Sequence, residues 1–484
     1  MKKLTDILKN TPVREVCGDT AAAIGGLVYD SRAVKPGDCF FAVPGTQSDG
    51  HDYIPIAVEK GAAAIVCERM PADAAEGVAY VLVGDSAGAM ADMAAAFYDY
   101  PSRELKLVGI TGTNGKTTTA TLLYDLVRAM GYKAGLISTV VYKIDGREVE
   151  ATHTTPDSIR LNAMMREMAD AGCAYCFMEC SSHAIVQERT RGLDFAGGIF
   201  SNITHDHLDY HKTFAEYIRA KKLFFDGLPK GAFALTNADD RNGRVMVQNT
   251  AAAVSAYSLR AMADFRCKIV EMHLDGMLLR IDGQELWVGL LGRFNAYNLL
   301  AVYGAAALLG LNRGEVLRVL SMLHAVSGRF EKIRAANGTT AIVDYAHTPD
   351  ALENVIQTIE EIRTPGQQLI VVCGCGGDRD RTKRPEMAAI AVKYATTAVF
   401  TSDNPRHESP EAILDDMVAG LEPGARYLRI ADRAEAIRTA VMLSRPGDII
   451  LVAGKGHETY QIVGDVKHPF DDREEIKKRF ALLN

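Results

Sequence analysis

Residues 105–119, LKLVGITGTNGKTTT, join a short apolar run to a Gly-rich turn and then to a lysine followed by threonines. This order predicts a strand, a loop and a helix start, whose free backbone N–H groups and positive N-terminus suit a bound phosphate. Lys116 is placed to reach the terminal phosphates of a nucleotide, and the hydroxyl of Thr117 or Thr118 to hold Mg²⁺. The general pattern has glycine six residues before the lysine, where this chain has Ile110. We still expect ATP binding, because a predicted strand and helix flank the loop as required.

Two later predicted strands end in polar clusters that are suited to chemistry. AYCFMECSSH ends with Glu179 and residues 181–183, and GGIFSNI is followed by residues 204–211, THDHLDYH. In an open parallel sheet, ligands gather at the carboxyl ends of the strands. Acidic and imidazole groups beside a phosphate loop therefore predict a metal and catalytic centre.

Predicted strands in the C-terminal part also end in polar residues: TTAIVDYAH, QQLIVVCG, TAVFTSD, RYLRI and DIILVAG. The clusters that follow them contain Asp344 and His347, Arg379, Asp403 with Asn404 and Arg406, and Lys455 with Glu458. Arginine or lysine beside an acid or amide suits a zwitterionic substrate that carries carboxylates and amines.

The predicted strands and helices that must position these residues indicate an α/β chain of three domains. Residues 1–100 form a smaller N-terminal α/β domain that ends near Pro101. Residues 101–327 alternate strand and helix, which predicts a central P-loop-type doubly wound sheet. The alternation restarts over residues 328–484 as a C-terminal Rossmann-like domain. With 484 residues, 48% of them hydrophobic and 24% charged, the chain has enough material for these domains.

Composition and segment lengths exclude several classes of function. The net charge of −7 without a basic stripe argues against nucleic acid as a partner. The N-terminal residues lack a signal-peptide apolar core, so we expect a cytoplasmic protein. The longest apolar segment, residues 295–311, is short for a membrane span and predicts a buried helix. Its Asn295 and Asn298 lie on one helix face, where packing or a nucleotide base could satisfy their amides.

The nine cysteines are scattered along the chain and predict reduced thiols. Cys173, Cys176 and Cys180 lie in an apolar strand without a second Cys or His pair at zinc-finger spacing, so we expect buried thiols rather than a metal site.

The order of the motifs resembles the Mur ligases, cytosolic ATP-dependent amide-forming enzymes of peptidoglycan precursor synthesis. GTNGKTT, ECSSH, HDHLDYH, AKKLF, NADD, DYAHTPDAL, GGDRD, DNPR and GKGHE occur in the order of that family over essentially the whole chain. The DNPR of residues 403–406 is similar to the signature of members that select meso-2,6-diaminopimelate, whereas lysine-adding relatives usually lack the arginine. The resemblance implies an ADP-forming ligase that joins this amino acid to UDP-MurNAc-L-Ala-D-Glu through an acyl phosphate.

The resemblance also implies roles for individual residues. The implied nucleotide site is Gly112, Thr113, Asn114, Gly115, Lys116, Thr117, Thr118, Asn295, Asn298, Arg329, Asp344 and His347, with Arg329 near the transferred phosphate. The implied UDP-substrate site is Ser31, the loop around His51, Thr154, Thr155, Ser181, Gln187 and Arg189. The implied diaminopimelate site is Arg379, Asp403, Asn404, Pro405, Arg406, Gly454 and Glu458. The implied magnesium ligands are Thr117, Glu179, His207 and Lys221, the last as a carbamate formed with CO₂.

Other interpretations remain open at this point. Within the enzymes, they are a lysine-adding homologue and a ligase like folylpolyglutamate synthetase, which would not need residues 1–100 to bind UDP. A nucleotide switch is a third, although it has no use for the polar strand ends of the C-terminal part. Lys222 stands next to the lysine assigned as carbamylated. We expect a monomer that does not insert into a membrane.

Overall fold

Three large sheets follow one another along the chain in the computed structural model, which describes residues 1–45, 48–151, 153–204, 206 and 208–483. They contain five, eleven and six strands. Each is largely parallel, so the predicted α/β class is confirmed. His207, which the sequence analysis assigned to magnesium, lies outside the described residues.

The first sheet has the strand order β2-β7-β6-β5-β4, in which only β2 is antiparallel to its neighbour. The elements of this part are β1 (Lys2–Lys3), α1 (Leu4–Ile7), β2 (Val13–Cys17), β3 (Ala23–Ile24), β4 (Leu27–Val28), β5 (Cys39–Phe41), α2 (Ile54–Glu59), β6 (Ala64–Cys67), β7 (Ala79–Val83) and α3 (Ser86–Phe97), with 3-10 helices at Ser31–Ala33, Gly50–Tyr53 and Pro101–Glu104. Helix α3 ends before Pro101 because Asp99 and Tyr100 adopt left-handed backbone conformations.

The second sheet has a parallel centre, β9-β12-β8-β13-β14-β15-β16, with antiparallel strands at both edges. Its elements are β8 (Lys106–Thr111), α4 (Lys116–Ala129), β9 (Ala134–Ile137), β10 (Val141–Ile144), β11 (Arg147–Glu150), α5 (Ser158–Asp170), β12 (Tyr175–Glu179), α6 (Ser182–Val186), β13 (Gly197–Phe200), α7 (Leu208–His211), α8 (Phe214–Asp226), β14 (Phe233–Asn237), α9 (Gly243–Val247), β15 (Ala253–Ser258), β16 (Phe265–His273), β17 (Gly276–Ile281), β18 (Gln284–Val288), α10 (Arg293–Leu308) and α11 (Arg313–Leu320). The strand and helix predicted on either side of the phosphate loop are β8 and α4.

The third sheet has the order β19-β20-β24-β21-β22-β23, and only β19 is antiparallel. Its elements are β19 (Glu331–Arg334), β20 (Thr340–Asp344), α12 (Pro349–Ile362), β21 (Leu369–Cys373), α13 (Lys383–Tyr394), β22 (Thr397–Phe400), α14 (Pro410–Val418), β23 (Tyr427–Arg429), α15 (Arg433–Leu443), β24 (Ile449–Ala453), β25 (Tyr460–Val463), β26 (Val466–Pro469) and α16 (Asp472–Phe480). All five strands predicted here are present, as β20 to β24.

Burial agrees with the interpretation of the apolar segments. Helix α10 packs into the main core, as predicted, because apolar residues cover nearly its whole circumference. Cys173, Cys176 and Cys180 are buried free thiols, also as predicted. Among the described residues, no helix is both long and apolar enough to cross a bilayer.

A fully buried ion pair joins the strand ends of the third sheet. The Arg433 guanidinium, at the start of α15, lies 2.7 Å from the carboxylate of Asp472 at the start of α16, and neither side chain is exposed. The same guanidinium donates to the carbonyl oxygens of Ser402 and Ala453, which follow β22 and end β24. The pair therefore fixes the two backbone segments that lead into the DNPR and GKGHE loops.

We predict that Asp472→Ala lowers the free energy of unfolding by about 3–5 kcal/mol, because it leaves a buried guanidinium without its counter-ion. Urea unfolding followed by far-UV circular dichroism measures the change. Glu474→Ala is the matched control, since it breaks an exposed pair with Lys477 on the same helix, and such pairs contribute about 0–1 kcal/mol. Equal unfolding midpoints for the two variants would contradict a stabilising role for the buried pair.

Candidate active site

The phosphate loop lies where three parallel strands end side by side. Strand β12 places Glu179 opposite Ile110, and β13 places Phe200 opposite Thr111, so both neighbours end level with the loop. A Cβ atom on Gly112 would lie 1.9 Å from the Ser201 hydroxyl oxygen. The loop therefore needs glycine at this position, which accounts for the spacing around Ile110.

Two lysines hold the loop from opposite sides through its own carbonyl oxygens. Lys116 Nζ donates to the carbonyls of Gly112 at 2.9 Å and Thr113 at 2.8 Å. Lys221 Nζ, on α8, donates to the same Gly112 carbonyl at 2.8 Å, and its side chain is only 1% exposed. Burial lowers the pKa of both amines, and that of Lys221 lies well below the usual range because Lys116 adds repulsion. Lys222, by contrast, pairs with Asp226 at 2.5 Å.

Two oxygen donors beside the loop fit a magnesium ion. Glu179 is fully buried, and its carboxylate accepts hydrogen bonds from Thr139 N at 2.7 Å and Thr139 Oγ1 at 3.2 Å. Thr117 Oγ1 lies 3.2 Å from Arg329 Nη2. Carboxylate and hydroxyl oxygens are ligands that Mg²⁺ accepts, usually together with substrate phosphates. Within the described part of the chain, no three His, Cys, Asp or Glu side chains form a cluster that would hold a metal alone.

The third sheet supplies the opposite wall of the site. Asp344, at the end of β20, accepts hydrogen bonds from Phe330 N at 2.7 Å and Ala346 N at 2.8 Å. Burial raises the pKa of this carboxyl, and the nearby Arg329 opposes the shift. The Arg329 guanidinium lies 4.5 Å from the centre of the Tyr345 ring, and its buried Nε has no acceptor among the described residues. An anion at this position would complete the hydrogen bonding of Arg329.

Contacts between the second and third sheets close the site. Asp350, in the first turn of α12, accepts from Asn114 Nδ2 at 2.8 Å and from Thr204 Oγ1 at 3.3 Å. Lys383 of α13 pairs with Asp206 at 2.6 Å. Sequence reasoning assigned no individual role to Asp350 or Lys383, and it placed Asp206 only within the polar cluster of residues 204–211. DYAHTPDAL, which contains Asp350, was the available signal, but a motif does not reveal which domain its carboxylate will face.

A cavity of about 750 Å³ lies between the two sheets. This volume is in the range of small-molecule sites. The predicted residues that line it are Thr113, Asn114, Gly115, Lys116, Thr117, Thr118, Thr154, Thr155, Glu179, Ser181, Gln187, Arg189, Asn298, Arg329, Asp344, His347 and Arg379. The other predicted residues that the structure describes do not line the cavity. Gly112, Asn295 and Lys221 lie behind the residues that line it. The remainder are Ser31, His51, Asp403, Asn404, Pro405, Arg406, Gly454 and Glu458.

The two asparagines of α10 have different environments. Asn295 donates to the carbonyl of Leu291 at 2.7 Å and accepts from Asn298 at 3.1 Å, so helix packing satisfies its amide. Asn298 lies at the cavity wall, where a Cβ on Gly115 would come within 2.5 Å of its Oδ1. The sequence left packing and base binding open for both residues, and the structure gives Asn295 the packing role.

The residues assigned to the UDP substrate form a network on the second sheet. Arg189 donates to the carbonyl of Thr155 at 2.7 Å and to Gln187 Oε1 at 2.6 Å, and Thr155 Oγ1 accepts from Ser181 N at 3.2 Å. Burial raises the pKa of Tyr29, two residues before Ser31, and the charges of Asp157 and Arg189 also act on its phenol.

His51 is held within the first domain. Its Nδ1 lies 2.6 Å from Asp49 Oδ1, and its Nε2 accepts from Glu68 N at 2.9 Å. Both ring nitrogens are thus engaged, and the imidazole supports the backbone of its loop.

Residues assigned to diaminopimelate lie close together in what we call the amino-acid pocket: Asn404 donates to Glu458 Oε2 at 2.9 Å, and a Cβ on Gly376 would come within 3.0 Å of Arg406 Nη1 and 3.6 Å of Arg379 Cγ. Arg406 Nη1 donates to the carbonyl of Gly377 at 2.8 Å, and repulsion from Arg379 together with burial lowers the pKa of its guanidinium. Neither arginine forms an ion pair with a described residue. The carboxylate of Asp403 is 7% exposed and accepts no hydrogen bond from the described part of the chain.

An aromatic corner of the cavity was missed by sequence reasoning. Tyr297 and Phe294 of α10 line it, and the Tyr297 hydroxyl donates to Asp239 Oδ2 at 2.8 Å. Asp239 also accepts from Ser258 Oγ at 2.7 Å and from Leu259 N at 2.8 Å. It belongs to the NADD motif, so the signal was present, but the sequence did not reveal that the carboxylate ties β15 to α10.

Comparison with known proteins gives three family profiles and many full-length relatives. Profiles described as Mur ligase family, catalytic domain, as Mur ligase middle domain and as Mur ligase, glutamate ligase domain match residues 23–98, 110–306 and 328–456. Two proteins named UDP-N-acetylmuramoyl-L-alanyl-D-glutamate--2,6-diaminopimelate ligase, from Phocaeicola vulgatus and Bacteroides fragilis, are each 55% identical over 99% of both chains. A solved structure with the same protein name is 31% identical, with a TM-score of 0.71, and covers 100% of this chain and 99% of its own.

We predict that Gly115→Ala weakens nucleotide binding at least tenfold. The new Cβ would meet Asn298 Oδ1 at 2.5 Å in a backbone with φ of +87°, so the loop must move. Isothermal titration with ADP and Mg²⁺ measures the loss. Gly131→Ala is the matched control, because Gly131 has φ of +89° and open space around its Cβ position. Unchanged ADP affinity in Gly115→Ala would contradict the proposed position of the phosphates.

Proposed function

The chain belongs to the Mur ligase family, and we propose that it adds meso-2,6-diaminopimelate to the D-glutamate of UDP-MurNAc-L-Ala-D-Glu with cleavage of ATP to ADP and phosphate. Relatives with this name match it end to end at 55% identity. The match over residues 23–98 favours this substrate over a folate, because the first sheet then has a UDP-linked molecule to bind.

Two guanidinium groups that form no ion pair within 4 Å with a described residue carry the substrate assignment. Arg379 and Arg406 are close enough to repel each other, and the Arg406 guanidinium donates to neutral carbonyl oxygens, those of Gly377 and Asn404. Diaminopimelate differs from lysine by one carboxylate, which can accept paired charge-assisted hydrogen bonds from Arg406. Asp403, whose carboxylate is unbonded, suits the adjacent ammonium group. Lysine would leave the guanidinium unpaired, so it is the disfavoured alternative.

The reaction requires a carboxylate to attack the γ-phosphate of ATP, so two anions must meet. Lys116 and Arg329 approach the phosphate loop from the two sheets and would hold the transferred phosphoryl group between them. Magnesium, held by Thr117 and Glu179, would supply further neutralisation of the phosphates. The acyl phosphate then reacts with the diaminopimelate amine, and phosphate leaves from the tetrahedral intermediate.

Lys221 is the residue that we assign to the carbamate. The neutral amine reacts with CO₂ to give the carbamate and a proton, and burial against Lys116 favours the neutral amine. The carbamate would replace a buried cation by an anion beside Lys116 and the metal ligands. Lys222 is a poor candidate, because its ammonium group is paired with Asp226.

The proposal includes a cytoplasmic location, where ATP and the UDP-linked substrate are available, and a monomeric enzyme. In a monomer, the second and third sheets of one chain would together enclose the cavity that lies between them.

Phosphate release from ATP tests the activity with UDP-MurNAc-L-Ala-D-Glu and either meso-diaminopimelate, lysine or no amino acid. We expect release with diaminopimelate to exceed that with lysine at least a hundredfold. Equal release in all three reactions would contradict a ligase, and faster release with lysine would contradict the substrate assignment.

We predict that Arg406→Ala raises the KM for diaminopimelate at least a hundredfold and leaves ADP affinity within threefold of the wild type, because Arg406 does not line the nucleotide cavity. Steady-state kinetics and ADP titration measure the two effects. Arg381→Ala is the control, since this exposed arginine of the neighbouring loop pairs only with Asp416. Loss of both properties in Arg406→Ala would show that the residue supports the fold instead.

We predict that ¹³C-bicarbonate gives one carbamate signal in the NMR spectrum of the wild-type protein, and that Lys221→Gln abolishes it together with at least 99% of the activity. Lys222→Gln should retain both the signal and the activity, because it removes only the pair with Asp226 and leaves the Lys221 amine in place. A signal that disappears in Lys222→Gln instead would move the modification to that residue.

A further inference from the structure

Lys455, the second residue of the GKGHE loop, is a fully buried cation that the proposed reaction does not use. Its side chain is 0% exposed. The loop follows β24 and packs tightly: a Cβ on Gly456 would come within 2.6 Å of the Gly328 carbonyl oxygen and 2.7 Å of Tyr345 Cβ. The backbone beside Lys455 is therefore fixed, and its ammonium group has a defined position.

The ammonium group of Lys455 organises two residues of the amino-acid pocket. It donates to Glu458 Oε2 at 2.8 Å and to Asn404 Oδ1 at 3.1 Å. Asn404 donates in turn from Nδ2 to the same Glu458 oxygen at 2.9 Å, and its Oδ1 also accepts from Ile462 N at 2.9 Å. The three side chains thus form a closed triangle of hydrogen bonds.

The triangle occupies one oxygen of Glu458 and leaves the other available. Oε2 accepts from both Lys455 and Asn404, whereas Oε1 accepts no hydrogen bond from any residue that the structure describes. A carboxylate held in this way presents one oxygen in a fixed direction. The acid belongs to the same pocket as Asp403 and Arg406, since both Asp403 and Glu458 act on the charge of Arg406.

We propose that Lys455 is a positioning residue, which orients Glu458 so that its free oxygen receives the ammonium group at the distal end of the amino-acid substrate. The proposal rests on the proposed function. Burying an ion pair costs desolvation free energy, and an apolar side chain would fill the space of Lys455 without that desolvation cost. We therefore attribute the Lys455–Glu458 pair to its effect on Glu458: it restricts the rotamer of this side chain before substrate binds.

Lys455→Met tests the proposal with two substrates that share a distal carboxylate but differ in the distal amine, meso-diaminopimelate and 2-aminopimelate. We expect the KM for diaminopimelate to rise at least tenfold. The KM for 2-aminopimelate, or its inhibition constant if it reacts slowly, should change less than threefold, and so should the KM for ATP. Equal losses with both amino acids would overturn the proposal, because they would indicate a general structural role.

Glu458→Gln keeps the inference testable if Lys455→Met does not fold. The amide has nearly the shape of the carboxylate but no charge, so we expect the same selective loss with diaminopimelate. In the double variant, Lys455→Met should add less than a threefold further effect, because its influence passes through Glu458. Independent, multiplying effects would overturn the proposal. Absence of diaminopimelate ligation by the wild-type enzyme would instead contradict the proposed function.

Discussion

This site depends on basic side chains that are buried from water and hydrogen-bonded to neutral carbonyl oxygens. Lys116 and Lys221 both donate to the Gly112 carbonyl, and Arg406 donates to the carbonyl of Gly377. Carbonyl oxygens satisfy hydrogen bonds without cancelling charge. The net charge of the chain is −7, yet neither Lys116 nor Arg406 has a carboxylate as a hydrogen-bond partner among the described residues. In a partly dehydrated cleft each of them interacts more strongly than it would in water.

The two parallel sheets make this arrangement possible because their strands end towards the same cavity. Glu179 is the last residue of β12 and the phosphate loop follows β8, both in one sheet. Asp344 is the last residue of β20 in the other sheet. Contacts such as Asn114 with Asp350 and Asp206 with Lys383 join the two edges. Residues of both sheets thus line the same cavity, and the position of one sheet relative to the other sets the distances between them.

Sequence reasoning predicted most of the local structure and 17 of the 39 residues that line the cavity. Lys116 and Thr117 were predicted from the Gly-rich loop and its hydroxyl residues, and Arg329 from the resemblance to the Mur ligases; all three line the cavity. Tyr297 and Lys383 were missed, since each stands in a helix where an aromatic or basic residue is ordinary. The resemblance placed the loop around His51 in the UDP-substrate site, and the structure adds that the ring nitrogens of His51 are hydrogen-bonded to Asp49 and to the backbone of Glu68.

The sequence by itself determined the α/β class, the order of the strands along the chain and the chemical types at their ends. These properties follow from local patterns, which act over a few residues. Only the tertiary structure decided which polar groups are satisfied: Asn295 is hydrogen-bonded to Leu291 and Asn298, whereas the carboxylate of Asp403 accepts no hydrogen bond from the described residues and Arg406 donates only to carbonyl oxygens among them. The physical reason is that hydrogen bonding and dehydration depend on neighbours brought from distant parts of the chain, as Lys455 and Asn404 are brought to Glu458.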